Sequence, residues 1–279
     1  MNNDYAVLMS VYEKETPAHF SHSLDSILAQ TVQCRQFVLV CDGALGDALE
    51  AVIARYERRF GGRMDVVRLE THSRLGNALN AGLARCRYEI VLRMDADDVA
   101  KPYRAEKQLA AMANGAGLCS AFVAEFSGTP TRVTAIKTLP VTHEQIVRYM
   151  RRRNPMNHPC TTFLKSAVER AGGYQDCPWF EDYDLWVRML RSGCRAVNVP
   201  EVLLFMRAGK EMYARRGGFA YLKHALRFRL KLLRAGASTL PDFLASAAAQ
   251  TASALMPVSL RKRLYELFLR KYGARTKRA

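Results

Sequence analysis

Four short apolar runs in the first hundred residues, separated by amphipathic stretches, set the tightest limit on what this chain can fold into. Residues 6–10, 37–40, 66–69 and 90–94 have the length and composition of buried strands. Between them, residues 19–30, 47–60 and 75–84 repeat apolar side chains at helical spacing. Strand and helix in alternation predict a parallel sheet with helices on both faces. In sheets of this kind ligands bind beyond the carboxyl ends of the strands, so chemistry is expected there.

Three of those ends are unusually polar. The first strand runs into Ser10-Val11-Tyr12-Glu13, the second into Asp42-Gly43, and the fourth into Asp95-Ala96-Asp97-Asp98. No Gly-x-Gly-x-x-Gly follows the first strand and no Gly-Lys-Ser/Thr occurs, which disfavours a dinucleotide site and an NTPase. Three carboxylates within four residues repel one another. At the end of a buried strand they would gather as oxygen ligands for Mg²⁺ or Mn²⁺, hard ions commonly shared between carboxylates and substrate phosphates. The alternative is a solvated acidic turn or a helix cap ahead of Pro102. Asp42-Gly43 reads as a turn, or, beside a metal site, as a hold on a base or ribose.

The second half is less regular. Residues 118–126 read as a strand, followed by a Gly128-Thr129-Pro130 turn, the cluster 154–159 (NPMNHP) and Gly172-Gly173-Tyr174. A helix opens within 179–186 and ends near Ser192-Gly193. It carries Glu181-Asp182 among Trp179, Phe180 and Trp186, a setting in which a carboxylate can take a proton with its pKa raised by desolvation. The competing reading is that these acids only stabilise the helix N-terminus. His158 is a candidate metal ligand or acceptor contact, or a structural histidine. Arg74 is either a diphosphate contact or a solvated arginine.

The chain has 279 residues, 49% of them apolar and 24% charged, enough for one large domain, or a domain with a tail. Seven cysteines, odd in number and never spaced C-x-x-C, point to a reducing compartment. Neither a secretory signal nor an apolar run of membrane-spanning length is visible. The net charge is +16, and residues 201–279 hold 17 Lys or Arg against four Asp or Glu, leaving +3 for the rest. In residues 219–234, Phe219, Leu222, Leu226, Leu230 and Leu233 form one helical stripe, with Lys223, Arg227 and Arg234 beside it. Residues 243–256 are apolar but too short to span a bilayer, and Leu260, Leu264, Leu267 and Phe268 continue a helical pattern. Such a segment suits an anionic partner; aliphatics interleaved with the cations favour a lipid surface over nucleic acid.

In this order, the stretches VLMSVYEKE (7–15), VCDG (40–43), GNALNAGL (76–83), RMDADD (93–98) and FEDYDLW (180–186) resemble the family-2 glycosyltransferases, which have the GT-A fold. The likeness runs from about Tyr5 to Met212. It implies an α/β, Rossmann-like mixed sheet flanked by helices over residues 1–212, with residues 213–279 left as a basic helical membrane-association region. It also implies an inverting, non-processive transfer of a hexose or N-acetylhexosamine from a UDP-sugar. Asp95 and Asp97 would be the Asp-x-Asp pair, with Asp97 the direct ligand of Mn²⁺ or Mg²⁺ and Asp95 reaching ribose or metal-bound water. Ser10, Tyr12, Glu13, Asp42, Arg74, Asn80 and Ala96 would surround the nucleotide-sugar. Asp182 would be the general base, supported by Glu181, with His158 and Trp179 near the acceptor or metal.

NPMNHPC, the GGY after it, and RAGKEMYARRGG (207–218) are similar, more narrowly, to bacterial enzymes of exopolysaccharide and O-antigen repeat assembly, of the amylovoran type. That likeness implies a sugar on undecaprenyl diphosphate as acceptor, a β-linkage, and a peripheral position on the cytoplasmic face of the inner membrane. Three departures stand out. Cys41 replaces an Asp found in many relatives, His72 and Arg74 replace an Asn and a Gly, and no Gln-x-x-Arg-Trp follows Asp182, which argues against a processive polymerase.

Overall fold

The computed structural model describes residues 4–208 and 217–256. Strands β1 (Tyr5–Val11), β2 (Gln36–Asp42), β3 (Met64–Leu69) and β4 (Ile90–Asp95) alternate with helices α1 (Pro17–Leu28), α2 (Asp47–Phe60) and α3 (Leu75–Arg85). All four strands are parallel, in the order β3-β2-β1-β4. The rest of the sheet is mixed. It is built from β5 (Val99–Ala100), β6 (Leu118–Phe126), β7 (Val133–Lys137), β8 (Thr162–Leu164) and β9 (Ala196–Arg207). β8 pairs antiparallel with β4 and with β6, β9 runs parallel to β6, and β5 and β7 pair antiparallel with β9 and β6. The parallel expectation thus holds for the first half only. Beyond β4 the chain adds strands of both directions, as the family resemblance implied.

Period-two alternation explains how one strand serves two layers. In β1, Ala6 and Leu8 face a core shared with α3, whereas Tyr5, Val7 and Met9 face one shared with α1 and α2. α4 (Arg104–Ala113) covers the second face. α5 (His143–Met150), α6 (Lys165–Arg170) and α7 (Glu181–Arg191) cover the first. Gly82 of α3 lies directly on β1 and β2, where a Cβ would collide with Leu8 and Val40.

The chain continues into α8 (Gly218–Arg234) and α9 (Leu240–Leu255), a packed hairpin joined by residues 235–239. The stripe expected to define α8 is not the one that packs on the domain. Tyr221, Ala225, Phe228 and Leu232 are buried instead, because they face α7; Leu222, Leu226, Leu230 and Leu233 are half-buried and Phe219 is exposed. Phe228 stacks on Phe180 at 4.8 Å between ring centres and meets Tyr183 edge-on at 4.9 Å. Lys231 pairs with the buried Asp184, and Arg229 lies over the Tyr183 ring. Arg152 donates from Nε to Asp242 of α9 at 2.6 Å. The expected boundary at 212/213 and the helical pattern of residues 260–268 lie outside the described residues. No helix among the described residues is long and apolar enough to cross a membrane.

Close approach at Gly82 makes a direct test of the packing. Gly82→Ala should destabilise the protein by about 1–3 kcal/mol through overpacking, read as a lower urea midpoint with an unchanged slope.

Candidate active site

The strand register assembles the first half of the site. Ser10 lies opposite Asp95 on β4 and Val40 on β2, so β1, β2 and β4 end side by side with Asp42 and Asp95 flanking β1. Asp42 is buried. Its Oδ1 accepts from the Ser73 amide at 2.7 Å and hydroxyl at 2.9 Å, and its Oδ2 lies 2.9 Å from His72 Nδ1. His72 stacks with Tyr12 at 5.7 Å, giving a ring pair at the mouth of this corner. Arg74 follows with φ 73° and ψ 151°, a backbone region that favours glycine; its Nη1 reaches Asp176 at 2.8 Å.

Asp95, Asp97 and Asp98 bring one oxygen each to within 4.8 Å of the others. They do not cap a helix: β5 follows directly, and α4 begins at Arg104 after Tyr103. Ala96, between Asp95 and Asp97, turns its methyl into the core. Asp98 is buried, with Oδ1 accepting from the Arg207 amide at 2.8 Å and Oδ2 unpartnered. Burial, then Asp95 and Glu15, push Asp97 up to about 7; burial, then Asp95 and Asp97, hold Asp98 well above the usual carboxylate range. An all-oxygen donor set with a bare buried oxygen fits a hard divalent ion, which would favour the ionised carboxylates.

Arg93, two residues before Asp95, is the one cation in the buried part of β4, and its Nη2 binds Asp95 Oδ1. It is 1% exposed, and its Nε and Nη1 have no partner among the described residues. Burial raises the pKa of Asp98, Glu181 and Asp182, and the same guanidinium opposes that rise to a small extent in both carboxylate groups. A charged residue inside an otherwise apolar strand was the available signal for it. Glu15 was also missed: its carboxylate lies near Asp95 and Arg207, whereas Glu13, expected at the donor, is exposed. Arg207 arrives from β9 with no local signal at all, donating from Nε to the Asp97 carbonyl at 3.2 Å.

Glu181 and Asp182 occupy the first turn of α7, where the backbone dipole favours anions. Asp182 accepts from the Tyr183 amide at 2.7 Å and from Asn154 Nδ2 at 2.6 Å. Burial nevertheless raises its pKa, and burial with Asp182 next door pushes Glu181 up to about 7. The N-terminus of α3 closes against this turn: a Cβ on Gly76 would lie 3.3 Å from Tyr174 Cβ and 3.8 Å from Glu181 Cβ. Asn80, expected at the donor, clasps the Tyr174 backbone. Its Nδ2 donates to the Tyr174 carbonyl at 2.8 Å while its Oδ1 accepts from the Tyr174 amide at 2.9 Å. His158 Nε2 meets the Tyr174 hydroxyl at 2.9 Å, and burial followed by Arg93 keeps the ring neutral. Trp179, at φ 65° and 44% exposed, packs against Tyr221 and His224 of α8.

The left-handed backbone at Arg74 makes strain testable there. Arg74→Gly should raise stability by about 1 kcal/mol, read from thermal unfolding.

The model of the family described as glycosyl transferase family 2 matches residues 6–172. The chain is 37% identical to the amylovoran biosynthesis glycosyltransferase AmsE of Erwinia amylovora, over 94% of this chain and 98% of that one. It is 33% identical to the Escherichia coli UDP-Gal:alpha-D-GlcNAc-diphosphoundecaprenol beta-1,3-galactosyltransferase, over 96% and 97%. Among solved structures it is similar to the mannosyltransferase PcManGT of Pyrobaculum calidifontis, in complex with GDP-Man and Mn²⁺. That match has a TM-score of 0.62 at 17% identity, covering 95% of this chain and 79% of that one. With a GT-A fold, and carboxylates gathered at its strand ends, the chain belongs to glycosyl transferase family 2.

Proposed function

We propose that this glycosyltransferase moves a hexose or N-acetylhexosamine from a UDP-sugar to a sugar carried on undecaprenyl diphosphate, with inversion to a β-linkage. The assembly it would serve is a bacterial surface polysaccharide repeat, built at the cytoplasmic face of the inner membrane. The observation that carries the reading is the gathering of Asp95, Asp97 and Asp98 at the end of β4, one oxygen from each within 4.8 Å of the others and the buried Asp98 Oδ2 without a partner among the described residues. The names of the E. coli and Erwinia relatives support the UDP donor, the diphosphate-lipid acceptor and the polysaccharide context.

In this mechanism Asp42 accepts from the nucleotide base or ribose while Tyr12 and His72 offer ring faces beside it. The backbone at Ser10 and Ala96 borders the nucleotide, and Arg74 binds the diphosphate. Asp97, with Asp95, would hold Mn²⁺ or Mg²⁺, which supplies charge stabilisation to the leaving diphosphate. Asp182 takes the proton from the acceptor hydroxyl. The acceptor oxygen then bonds to the anomeric carbon as the bond from that carbon to the diphosphate oxygen breaks, its electron pair leaving with UDP. Asn154 and the Tyr183 amide hold the Asp182 carboxylate in place, and Glu181 and Trp179 border the acceptor.

The experiment that tests the reading is a donor panel with Mn²⁺ or Mg²⁺ and a GlcNAc-diphosphate-lipid analogue, scored for a new disaccharide. Chelator-sensitive product from a UDP-sugar supports it, and product from GDP-sugars alone would overturn the donor assignment. Asp182→Asn should lower turnover by about 10²–10⁴-fold while UDP binding is kept. Asp97→Asn should remove the Mn²⁺ dependence of UDP binding measured by calorimetry. A base must be ionised to act, and burial raises the pKa of Asp182, so the rate should be lost on the acid side of the profile. Asn154→Leu removes a donor that favours the ionised form; it should move that limb to higher pH and lower the rate at pH 7 about tenfold.

A further inference from the structure

α8 is apolar on two faces: the protein buries one and leaves the other half-covered, with Phe219 exposed at its start. At about 100° per residue, Tyr221, Ala225, Phe228 and Leu232 lie together and pack toward α7, while Phe219, Leu222, Leu226, Leu230 and Leu233 form a second stripe roughly 130° away. Lys223, Arg227 and Arg234 run along the outer edge of that second stripe. The helix contains five Lys or Arg and no Asp or Glu. Arg229 and Lys231 are engaged inward, by Tyr183 and Gln250 and by Asp184 respectively. The three outer cations have no acidic partner among the described residues.

The neighbouring helix repeats the pattern. Leu240, Leu244 and Leu255 of α9 fall within about 60° of one another around the helix axis, and they are 58%, 58% and 55% exposed. With Phe219 at 80%, half of the large exposed apolar side chains among the described residues sit on these two helices. Isolated exposed leucines carry no meaning, but apolar residues on both helices of a hairpin do when they are bordered by cations with no acidic partner among the described residues. An aqueous surface rewards neither feature, whereas the headgroup–acyl boundary of an anionic bilayer accommodates both.

We infer that the outer face of the α8–α9 hairpin is a docking surface for a bilayer containing anionic phospholipid, with Phe219, Leu240, Leu244 and Leu255 entering the acyl boundary and Lys223, Arg227 and Arg234 meeting headgroup phosphates. The inference deepens the lipid-linked acceptor reading above and rests on it for its purpose, though not for its physics. The inner face of the same helix carries Tyr221, His224 and Phe228 against Trp179 and Phe180, immediately before Glu181 and Asp182. The element seated on the membrane is therefore packed directly against the acceptor end of the site.

The test is flotation of the full chain with phosphatidylcholine vesicles, with and without phosphatidylglycerol, at low and high salt. Wild type should float with the anionic vesicles at low salt and lose that binding as salt rises. Replacing Lys223, Arg227 and Arg234 together by Ser should weaken partitioning about a hundredfold. Leu240→Ser with Leu244→Ser should weaken it about tenfold or more. Both variants should keep the wild-type unfolding temperature and wild-type transfer to a short-chain, water-soluble acceptor analogue. Wild type that fails to float, variants that float equally well, or salt-sensitive retention on single-stranded RNA in place of vesicles would overturn the surface. Flotation without any sugar transfer supports the surface while removing the proposed function; transfer without flotation does the reverse.

Discussion

The placement of the site rests on a permanent positive charge inside the sheet. A guanidinium buried as deeply as that of Arg93 is destabilised by several kcal/mol unless anions surround it. Asp95 meets it directly, and Asp98, Glu181 and Asp182 feel it through the protein interior, where screening by water is weak. Conversely, three crowded carboxylates at the end of β4 repel one another, and Arg93 offsets part of that repulsion before any metal ion arrives. The arginine and the acids are each unfavourable alone and tolerable together.

This mutual dependence ties the parallel half of the sheet to the mixed half. β4 is the last parallel strand and carries Arg93 and Asp95; α7 comes after the sheet has turned mixed and carries Glu181 and Asp182. Between them, Tyr174 acts as a keystone, its backbone clasped by Asn80 of α3 and its hydroxyl bonded to neutral His158. Two residues that the sequence offers as possible ligands, Asn80 and His158, are thus both bonded to Tyr174 where the two halves meet. The hairpin extends the same logic outward, with Phe228 and Tyr221 fixing the aromatic segment that leads into α7.

Much of this was legible in the residues. The four parallel strands, the acidic end of β4, a helix opening within 179–186 and a basic helix over 219–234 all follow from periodicity and composition, because each is a local property of the chain. What the sequence obscured was pairing at a distance. Glu13 and Glu15 are equivalent as letters, and only the turn after β1 decides that Glu15 faces the acids. Asn80 carries polar groups suited to a sugar, and only the approach of Tyr174 engages them. The apolar stripe on α8 was visible, yet helical spacing cannot say which of two stripes a domain will cover.

Sequence by itself determined the kinds of element and the chemistry available at their ends: carboxylates for a hard cation, a carboxylate in an aromatic setting, and a cationic amphipathic tail. Tertiary structure decided which of these share one site and in what state of charge. Burial and the neighbouring carboxylates lift Asp97 and Glu181 to about 7, and burial raises Asp98 and Asp182 as well, against a small opposing pull from Arg93. Desolvation and Coulomb energy depend on distances between residues far apart in the chain. Those distances exist only once β4, β9, α3 and α7 have packed together.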